Sequence, residues 1–493
     1  MRASGILLPV SSLPSPYGIG CFSKEAYEWI DLLKECGQHL WQILPLGPVS
    51  YGDSPYQSFS TFAGNPLYIS LPDLIEEGLL SKEECDSARL DGDGVYADYG
   101  LQFERRYQLL RLAFSRSGCE EDSGFAEFCK REKFWINDYA LYMAVKENNG
   151  WISWLEWEDD LRLRRPERMR RVKKELADDI RYYKYLQYLF YQQWERLHAY
   201  ASESGVRIIG DLPIYVAMDS ADAWMHPERF QFDEELQPIA VAGCPPDDFS
   251  ADGQLWGNPL YRWETHREEK YRWWLQRMKQ CAKLYDIVRI DHFRGFDEYY
   301  AIPYGEETAR NGAWEPGPGM ELFRLIQKKL PDLEIIAEDL GVMTDSVVRL
   351  VSDSGYPNMK VLQFAFGSDA NNDHLPHWHN KNMVIYTGTH DNETLMQHLA
   401  EAGEKEKHRI REFLNSWDVD DHLLCDRLIR MAHSSVAKYC IIPLQDYLYV
   451  GKEGRMNYPS TIGGINWRWR VQPSQLTTEV RHRIRYITEF YAR

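Results

Sequence analysis

The sequence predicts an α/β fold, a TIM (β/α)8 barrel with large, mostly helical insertions. Eight short runs rich in Ile, Val and Leu are distributed along the 493 residues, helix-length segments separate several of them, and polar residues follow the ends of five. Continuous apolar runs are typical of strands buried on both faces of a parallel sheet. Their alternation with helical segments indicates right-handed βαβ units, and eight of them favour a closed barrel over an open sheet.

The eight predicted strands are short and carry most of their charged residues at their ends. Helical segments such as 321–330 and 346–355 lie between consecutive runs. The predicted strands lie at 5–10, 40–47, 206–214, 287–293, 334–341, 360–367, 383–391 and 439–447.

Two stretches interrupt this alternation within a predicted single catalytic domain over 1–493. Residues 72–203 combine charged and aromatic side chains at helical spacing, which predicts a mostly helical insertion. Residues 222–284 predict a loop-rich insertion that covers the active-site cleft. The basic run at 162–175 is typical of solvated helix faces, with a basic patch for a binding partner as the alternative.

The composition indicates which binding partners are disfavoured and which cellular compartment is expected. The net charge of −18 disfavours nucleic acid and anionic membrane surfaces. Nine cysteines occur as dispersed singles, which suits a reducing compartment, and no apolar stretch approaches the length of a membrane span. The first apolar run is broken by Pro9 and is too short for a signal peptide, so we expect a cytoplasmic protein. Aromatic residues make up 14% of the chain, and they could either fill a large core or stack against the rings of a bound sugar.

Acidic and amide side chains stand at the ends of several predicted strands. In a barrel of this type, catalytic groups lie at the C-terminal ends of the strands. A lone acid there could cap the next helix. Several on different strands favour a shared site, because unpaired buried carboxylates are costly. These residues are Asp211, Asp291, Glu338, Asp391 and Gln445.

The segments around Asp291 and Glu338 predict glycoside chemistry. Arg289 and Asp291 share one strand face, so the arginine should lower the pKa of Asp291 and keep a nucleophile ionised. A structural Arg–Asp pair is the alternative. Glu338 ends the next strand, where burial and the neighbouring charge should raise its pKa as a general acid needs. Carboxylates about 5–5.5 Å apart suit a retaining double displacement.

The segment TGTHDNET carries a third carboxylate, Asp391, which could hydrogen-bond sugar hydroxyls. A helix N-cap explains Asp391 almost equally well. His390 and His292 could belong to the site or be satisfied core histidines. The histidines of HLPHWH, at 374–379, match no familiar zinc spacing, so we favour a polar loop near sugar hydroxyls over a metal site.

Several strings of the sequence resemble the 4-α-glucanotransferases of the amylomaltase type, glycoside hydrolase family 77 of the α-amylase clan. The similarity extends from near the start of the chain to near its end. It is carried by ILLPVSSLPSPYGIG, GDSPYQSFSTFAGNPL, GDLPIYV, GQLWGNPLY, RIDHFRG, IAEDLG, TGTHDNET and RMNYPST. The resemblance implies transfer of α-1,4-glucan segments to the 4-hydroxyl of an acceptor. It also implies no C-terminal β-sandwich and no essential metal or organic cofactor.

The resemblance also implies residue roles. Asp291 matches the family nucleophile, Glu338 the acid/base and Asp391 the third carboxylate. Maltooligosaccharides and other α-1,4-glucans are the implied substrates. The matching substrate-binding residues are Arg289, Asp211, His292, His390, Tyr56, Ser54, Trp256 and Asn457.

One position departs from the family pattern. The family loop commonly reads PPDYFS, whereas this sequence has PPDDFS, with Asp248 at the usual tyrosine. The missing tyrosine puts in doubt the preferred length of the glucan product and the way the acceptor is bound. It does not put in doubt the reaction at the carboxylates. An α-glucan hydrolase with the same carboxylates is the main alternative, since acceptor binding and water exclusion separate the two. A second alternative is a non-catalytic protein that binds glucan.

Overall fold

A computed structural model describes residues 2–50, 52–246, 251–341 and 343–493, and eight parallel strands within them form a barrel. Their order is β10-β11-β12-β1-β2-β3-β6-β9, so the first and last strands in the chain are neighbours. Each predicted strand overlaps one of these eight, although the bounds differ by several residues, and the predicted fold class is confirmed. The barrel strands are β1 (Ala3–Leu7), β2 (Leu40–Gln42), β3 (Arg207–Pro213), β6 (Ile287–Asp291), β9 (Glu334–Ala337), β10 (Asn358–Val361), β11 (Met383–Tyr386) and β12 (Tyr439–Pro443).

The helices surround the barrel and fill the long connection between β2 and β3. They are α1 (Lys24–Glu35), α2 (Leu71–Glu76), α3 (Lys82–Ser87), α4 (Tyr99–Leu101), α5 (Tyr107–Arg116), α6 (Ser123–Arg131), α7 (Ile136–Asn148), α8 (Asp159–Arg162), α9 (Pro166–Glu175), α10 (Ala177–Glu203), α11 (Ala221–Met225), α12 (Trp263–Glu268), α13 (Arg272–Leu284), α14 (Met320–Lys329), α15 (Asp345–Ser354), α16 (Leu395–Glu401), α17 (Glu404–Phe413), α18 (Asp421–Ser434), α19 (Leu444–Tyr447) and α20 (Thr478–Phe490). Among the described residues, no helix is long and apolar enough to cross a membrane.

The two faces of each barrel strand are buried in different places. On β6, Ile287 packs with apolar side chains of the other barrel strands, whereas Val288 and Ile290 pack in the larger core shared with the helices. Alternate residues of a strand point to opposite faces, so Arg289 and Asp291 lie on the same side as Ile287. This double burial explains why the strands are continuous apolar runs rather than alternating ones.

The seam between β9 and β10 closes the barrel. One backbone hydrogen bond crosses it, from Ala337 N–H to the Pro357 carbonyl at 2.9 Å. The Asp339 carboxylate extends this pairing, because it accepts from the Met359 N–H at 2.9 Å and from the Asn358 amide at 3.0 Å. A side chain next to Glu338 therefore joins the two strands at the carboxyl end of β9.

The helices α2 to α10 follow β2, and the longest of them, α10, fastens them to the barrel. The Gln187 amide of α10 donates to the Gly64 carbonyl at 2.8 Å and accepts from the Gly64 N–H at 2.7 Å. Gln193 accepts from the Ser70 N–H at 2.7 Å. These bonds hold the loop after β2, which also carries Tyr56, against a rigid helix.

A second, four-stranded antiparallel sheet has the order β5-β4-β7-β8. Its strands come from the connection after β3 and the connection after β6, so it lies above the C-terminal ends of the barrel strands. Residues 222–284 contribute two of its strands as well as α11 to α13. The strands are β4 (Ala240–Cys244), β5 (Gln254–Pro259), β7 (Glu298–Pro303) and β8 (Ala313–Pro316).

We expect Gly64→Ala to destabilise the protein by about 1–3 kcal/mol, the usual cost of overpacking a core. A Cβ atom at Gly64 would lie 2.1 Å from the buried Phe190 ring of α10. Gly367→Ala is the matched control, since its added methyl group would meet nothing within 4 Å. Thermal unfolding at one scan rate should place the first variant several degrees below the second. Equal midpoints would contradict this packing.

Candidate active site

The carboxyl ends of four barrel strands bring the predicted acids together. Asp211 lies in β3, Asp291 ends β6, Glu338 directly follows β9, and Asp391 lies in the loop after β11. β6 pairs with both β3 and β9, so Asp291 is flanked by the strands of Asp211 and Glu338. The adjacency of Asp291 and Glu338 predicted from the sequence is therefore present.

The Arg289 guanidinium lies at the centre of this group. Its Nη1 donates to both Asp211 oxygens at 2.8 and 2.6 Å and to Asp291 Oδ1 at 3.0 Å. Burial opposes its charge, but the Asp211 and Asp291 carboxylates outweigh it and raise the pKa of Arg289. Asp211 is fully enclosed behind Arg289. One cation thus orients two carboxylates, only one of which faces the cleft.

The pKa of Asp291 differs from the sequence prediction. Burial raises it to about 6, although Arg289 lowers it, and the negative charges of Asp211 and Asp391 raise it further. The prediction of a lowered pKa was wrong because it considered the partner and omitted the cost of removing a carboxylate from water. The side chain keeps 26% of its surface exposed, so it remains open to a ligand.

Glu338 is held by the backbone on both sides. Its Oε2 accepts from the His292 N–H at 2.6 Å and its Oε1 from the Leu340 N–H at 2.7 Å. His292 has φ of 54°, an uncommon conformation for a residue other than glycine. Burial and the charge of Asp291 raise the pKa of Glu338 to about 7, although Arg289 and the two backbone bonds lower it.

A hydrogen-bonded chain connects Asp391 to Asp211. Tyr56 donates its hydroxyl proton to Asp211 Oδ2 at 2.7 Å, so its oxygen accepts from His390 Nε2 at 2.8 Å. The same His390 nitrogen lies 3.2 Å from Asp391 Oδ2. The Tyr56 and His390 rings stack with centroids 5.3 Å apart. His390 is therefore buried and also belongs to the site.

Asp391 is not a helix cap. Thr394 caps α16 by accepting from the Gln397 N–H at 3.1 Å. The Asp391 carboxylate instead pairs with His390 and accepts from the Asn457 amide at 2.6 Å. Burial raises its pKa, but these two partners outweigh burial and the pKa is lowered. With 43% of the side chain exposed, this carboxylate stays ionised and open to the cleft.

Aromatic side chains line the other side of the site. The Trp256 ring of β5 lies edge-on to His292 with centroids 4.9 Å apart, and Tyr215 lies 6.4 Å from His292. Burial lowers the pKa of His292 to about 3, so this imidazole is neutral. Ser54, in the loop that carries Tyr56, accepts from the Tyr56 N–H at 3.3 Å.

The strand-end residue Gln445 forms its hydrogen bond outside this cluster. Gln445 donates to the Gly454 carbonyl at 3.0 Å and so fixes the loop after β12. Asp248, which departs from the family pattern, lies outside the described residues. Sequence reasoning also missed Arg455, which stands two residues before Asn457 and donates to the Asp391 carbonyl at 3.2 Å. The RMNYPST string contains it, but no sequence pattern indicates its partners.

The histidines of the HLPHWH segment make local hydrogen bonds. His374 Nδ1 accepts from the Val361 N–H at 3.0 Å, His377 contacts the Ala370 carbonyl at 2.9 Å, and His379 contacts Ser435 at 2.8 Å. Across the described ranges, no group of three or more His, Cys, Asp and Glu side chains could hold a metal ion.

A cavity of about 470 Å³ lies outside the carboxylate cluster, between α7, α11 and α13. Its charged side chains bind one another, with His226 3.2 Å from Asp138 and Arg229 3.4 Å from Glu269. The cavity contains none of the strand-end acids at the barrel mouth.

Comparisons with known proteins agree with this geometry. The family profile described as 4-alpha-glucanotransferase, glycoside hydrolase family 77, matches residues 8–477. A 4-alpha-glucanotransferase of Clostridium butyricum is 46% identical over 486 residues, covering 98% of this chain and 99% of the relative. One of Thermus thermophilus is 43% identical over 500 residues, covering 99% and 98%.

A solved structure has the same fold over its whole length. The amylomaltase of Streptococcus agalactiae in complex with acarbose superposes with a TM-score of 0.96 at 39% identity and covers 100% of both chains. A more distant amylomaltase, from Corynebacterium glutamicum, shares the fold with a TM-score of 0.78 at 19% identity, covering 99% of this chain and 75% of that one. The chain belongs to the 4-alpha-glucanotransferase family, glycoside hydrolase family 77.

Proposed function

We propose that this enzyme transfers segments of α-1,4-glucan to the 4-hydroxyl of an acceptor through a covalent glycosyl-enzyme. The observation that carries the proposal is the pair of carboxylates on neighbouring strands β6 and β9. Their environments hold the pKa of Asp291 at about 6 and that of Glu338 at about 7. An ionised carboxylate beside a second carboxyl group that keeps its proton more readily is the requirement for a nucleophile and a proton donor at one glycosidic bond.

In the first step, Asp291 attacks the anomeric carbon of the donor glucan. Its Oδ1 is held by Arg289, which fixes the direction of the carboxylate and stabilises its negative charge before attack. Glu338 gives its proton to the departing 4-oxygen, and the bond between that oxygen and the anomeric carbon breaks. The glucan segment is then an ester of Asp291, and Glu338 is a carboxylate.

In the second step, Glu338 removes the proton from the 4-hydroxyl of the acceptor. The acceptor oxygen attacks the anomeric carbon and releases the Asp291 carboxylate, so two inversions retain the α configuration. Water in place of the acceptor would give hydrolysis. Transfer requires that a sugar occupies this side of the cleft and excludes water from the intermediate.

The remaining residues bind and orient the sugar at the reacting centre. Asp391, ionised and exposed, accepts hydrogen bonds from sugar hydroxyls. Tyr56 and His390 border it, and Trp256 offers a ring face or edge to a pyranose. Arg289 and Asp211 act from behind Asp291. The full proposed set is Asp291, Glu338 and Asp391 for catalysis, with Arg289, Asp211, His292, His390, Tyr56, Ser54, Trp256 and Asn457 around the substrate.

The proposed substrates are maltooligosaccharides and related α-1,4-glucans, and the proposed location is the cytoplasm. The acarbose bound to the similar amylomaltase supports a saccharide ligand for this cleft. The net charge of −18 supports a neutral ligand over a polyanion. The helices α2 to α10 are proposed as one insertion of the catalytic domain, and residues 222–284 as the cover of the cleft.

With maltotriose alone, we expect a ladder of shorter and longer oligosaccharides together with glucose. Chromatography of the products over time measures this. Asp291→Asn should lower the rate by about 10³-fold or more, because no glycosyl-enzyme can form. The Gly367→Ala variant serves as the folded control. A product set of only maltose and glucose would indicate a hydrolase, and an active Asp291→Asn enzyme would refute the assigned nucleophile.

We expect a bell-shaped pH dependence of kcat/KM with a maximum between about 6 and about 7. Below this window Asp291 gains a proton and loses its nucleophilic form, and above it Glu338 loses the proton that the leaving oxygen needs. The two apparent pKa values belong to the pair, because the groups titrate together. Rates on maltotriose from pH 4 to 9 test this. In Glu338→Gln, residual activity should show no alkaline limb due to this residue; persistence of that limb would contradict the assignment.

A further inference from the structure

We propose that Arg455 is a positioning residue for the third carboxylate, holding the chain segments of Asp391 and Asn457 so that these two side chains meet. This inference rests on the proposed function, since it assumes that Asp391 takes part in turnover. Arg455 follows β12 in the chain, whereas Asp391 follows β11. The two loops thus follow different strands, and Arg455 contacts the backbone of both.

The Arg455 guanidinium binds the backbone of both loops. Its Nη2 donates to the Asp391 carbonyl at 3.2 Å, and its Nε donates to the Asn457 carbonyl at 2.8 Å. The Asn457 amide then donates to Asp391 Oδ1 at 2.6 Å. Arg455 thus fixes the two main chains whose side chains form the shortest bond to the Asp391 carboxylate.

A third bond anchors the guanidinium itself. Nη1 of Arg455 donates to Glu393 Oε1 at 3.1 Å. Glu393 lies 3.8 Å from His398, which lies 3.4 Å from Glu406 of α17. Burial lowers the pKa of His398, but Glu393 and Glu406 outweigh it and raise this pKa to about 9, so the imidazole is a cation at neutral pH. Arg455 and His398 therefore hold Glu393 between two positive charges.

The geometry indicates an orienting role rather than a direct charge effect. Arg455 donates to the carbonyl of Asp391 and not to its carboxylate, which His390 and Asn457 contact directly. Only 12% of the side chain is exposed, and the guanidinium lies 4.2 Å from the Tyr458 ring centroid. A planar guanidinium can direct three N–H groups to three fixed acceptors, which a lysine ammonium on a flexible stem cannot reproduce.

A double-mutant cycle between Arg455 and Asp391 tests the proposal. We expect Arg455→Ala and Arg455→Lys each to lower kcat by about 10²-fold with little change in KM, as expected for a misplaced group at the reacting centre. In the Asp391→Asn background, Arg455→Ala should cost less than about twofold more, because its target has already been removed. A glycosyl fluoride donor, whose leaving group needs little protonation, keeps the rate of this background measurable.

Arg411→Ala is the matched control. Arg411 also donates to backbone carbonyls, including Val419 at 2.8 Å, and pairs with Asp421 at 3.4 Å, but it lies on α17 away from the carboxylates. It should leave kcat unchanged and shift the melting temperature by about as much as Arg455→Ala. If Arg455→Ala fails to fold, Arg455→Lys carries the same cycle with Asp391→Asn.

The outcomes separate this inference from the proposed function. An equal fold loss from Arg455→Ala in the wild-type and Asp391→Asn backgrounds would overturn the positioning role. Full activity of Arg455→Lys would overturn it too, since charge alone would then suffice. Full activity of Asp391→Asn itself would contradict the proposed role of the third carboxylate, whatever Arg455 does. A loss that is masked by Asp391→Asn supports the proposal.

Discussion

A guanidinium enclosed by the barrel, that of Arg289, fixes the relation between the strands that carry the reacting groups. It binds Asp211 of β3 with two bonds and Asp291 of β6 with one. Without this cation, two carboxylates would face each other in a poorly hydrated space, and at least one would gain a proton. Tyr56 and His390 extend the same network to Asp391. The orientation of three acids therefore depends on one buried positive charge.

At each of these acids, burial raises the pKa, whereas neighbouring positive charges and hydrogen-bond donors lower it. Burial prevails at Asp291 and Glu338, whose pKa values are raised, whereas His390 and Asn457 prevail over burial at Asp391, whose pKa is lowered. Asp291 and Asp391 are thus mainly carboxylates at neutral pH, whereas Glu338 keeps a larger share of its proton, although the three groups share one cleft. The difference comes from how far the neighbouring charges and hydrogen-bond donors offset burial at each carboxyl group, and it suits side chains of one type to separate chemical tasks.

The barrel could be predicted from the sequence because strands buried on both faces are continuous apolar runs, and each of the eight strands overlaps its predicted run. The strand-end acids followed from the same pattern. The antiparallel sheet of β4, β5, β7 and β8 could not be predicted, because its strands are short, contain Gly and Pro and pair across distant segments. Arg455 and the sign of the Asp291 pKa shift depend on spatial neighbours and on desolvation, which sequence spacing does not contain.

The pairing of β1 with β12 has a consequence for how the molecule is made. Ala3 pairs with Tyr439, so β1 gains this partner only after all the residues between them have been synthesised. Until then, both of these barrel edges expose unpaired N–H and C=O groups, which are templates for association with other chains. The long-range closure also makes folding slow, because the entropy of a large loop is lost before the contact forms. The unpaired edges of β1 and β12 are therefore the places where association with other chains competes with closure of the barrel.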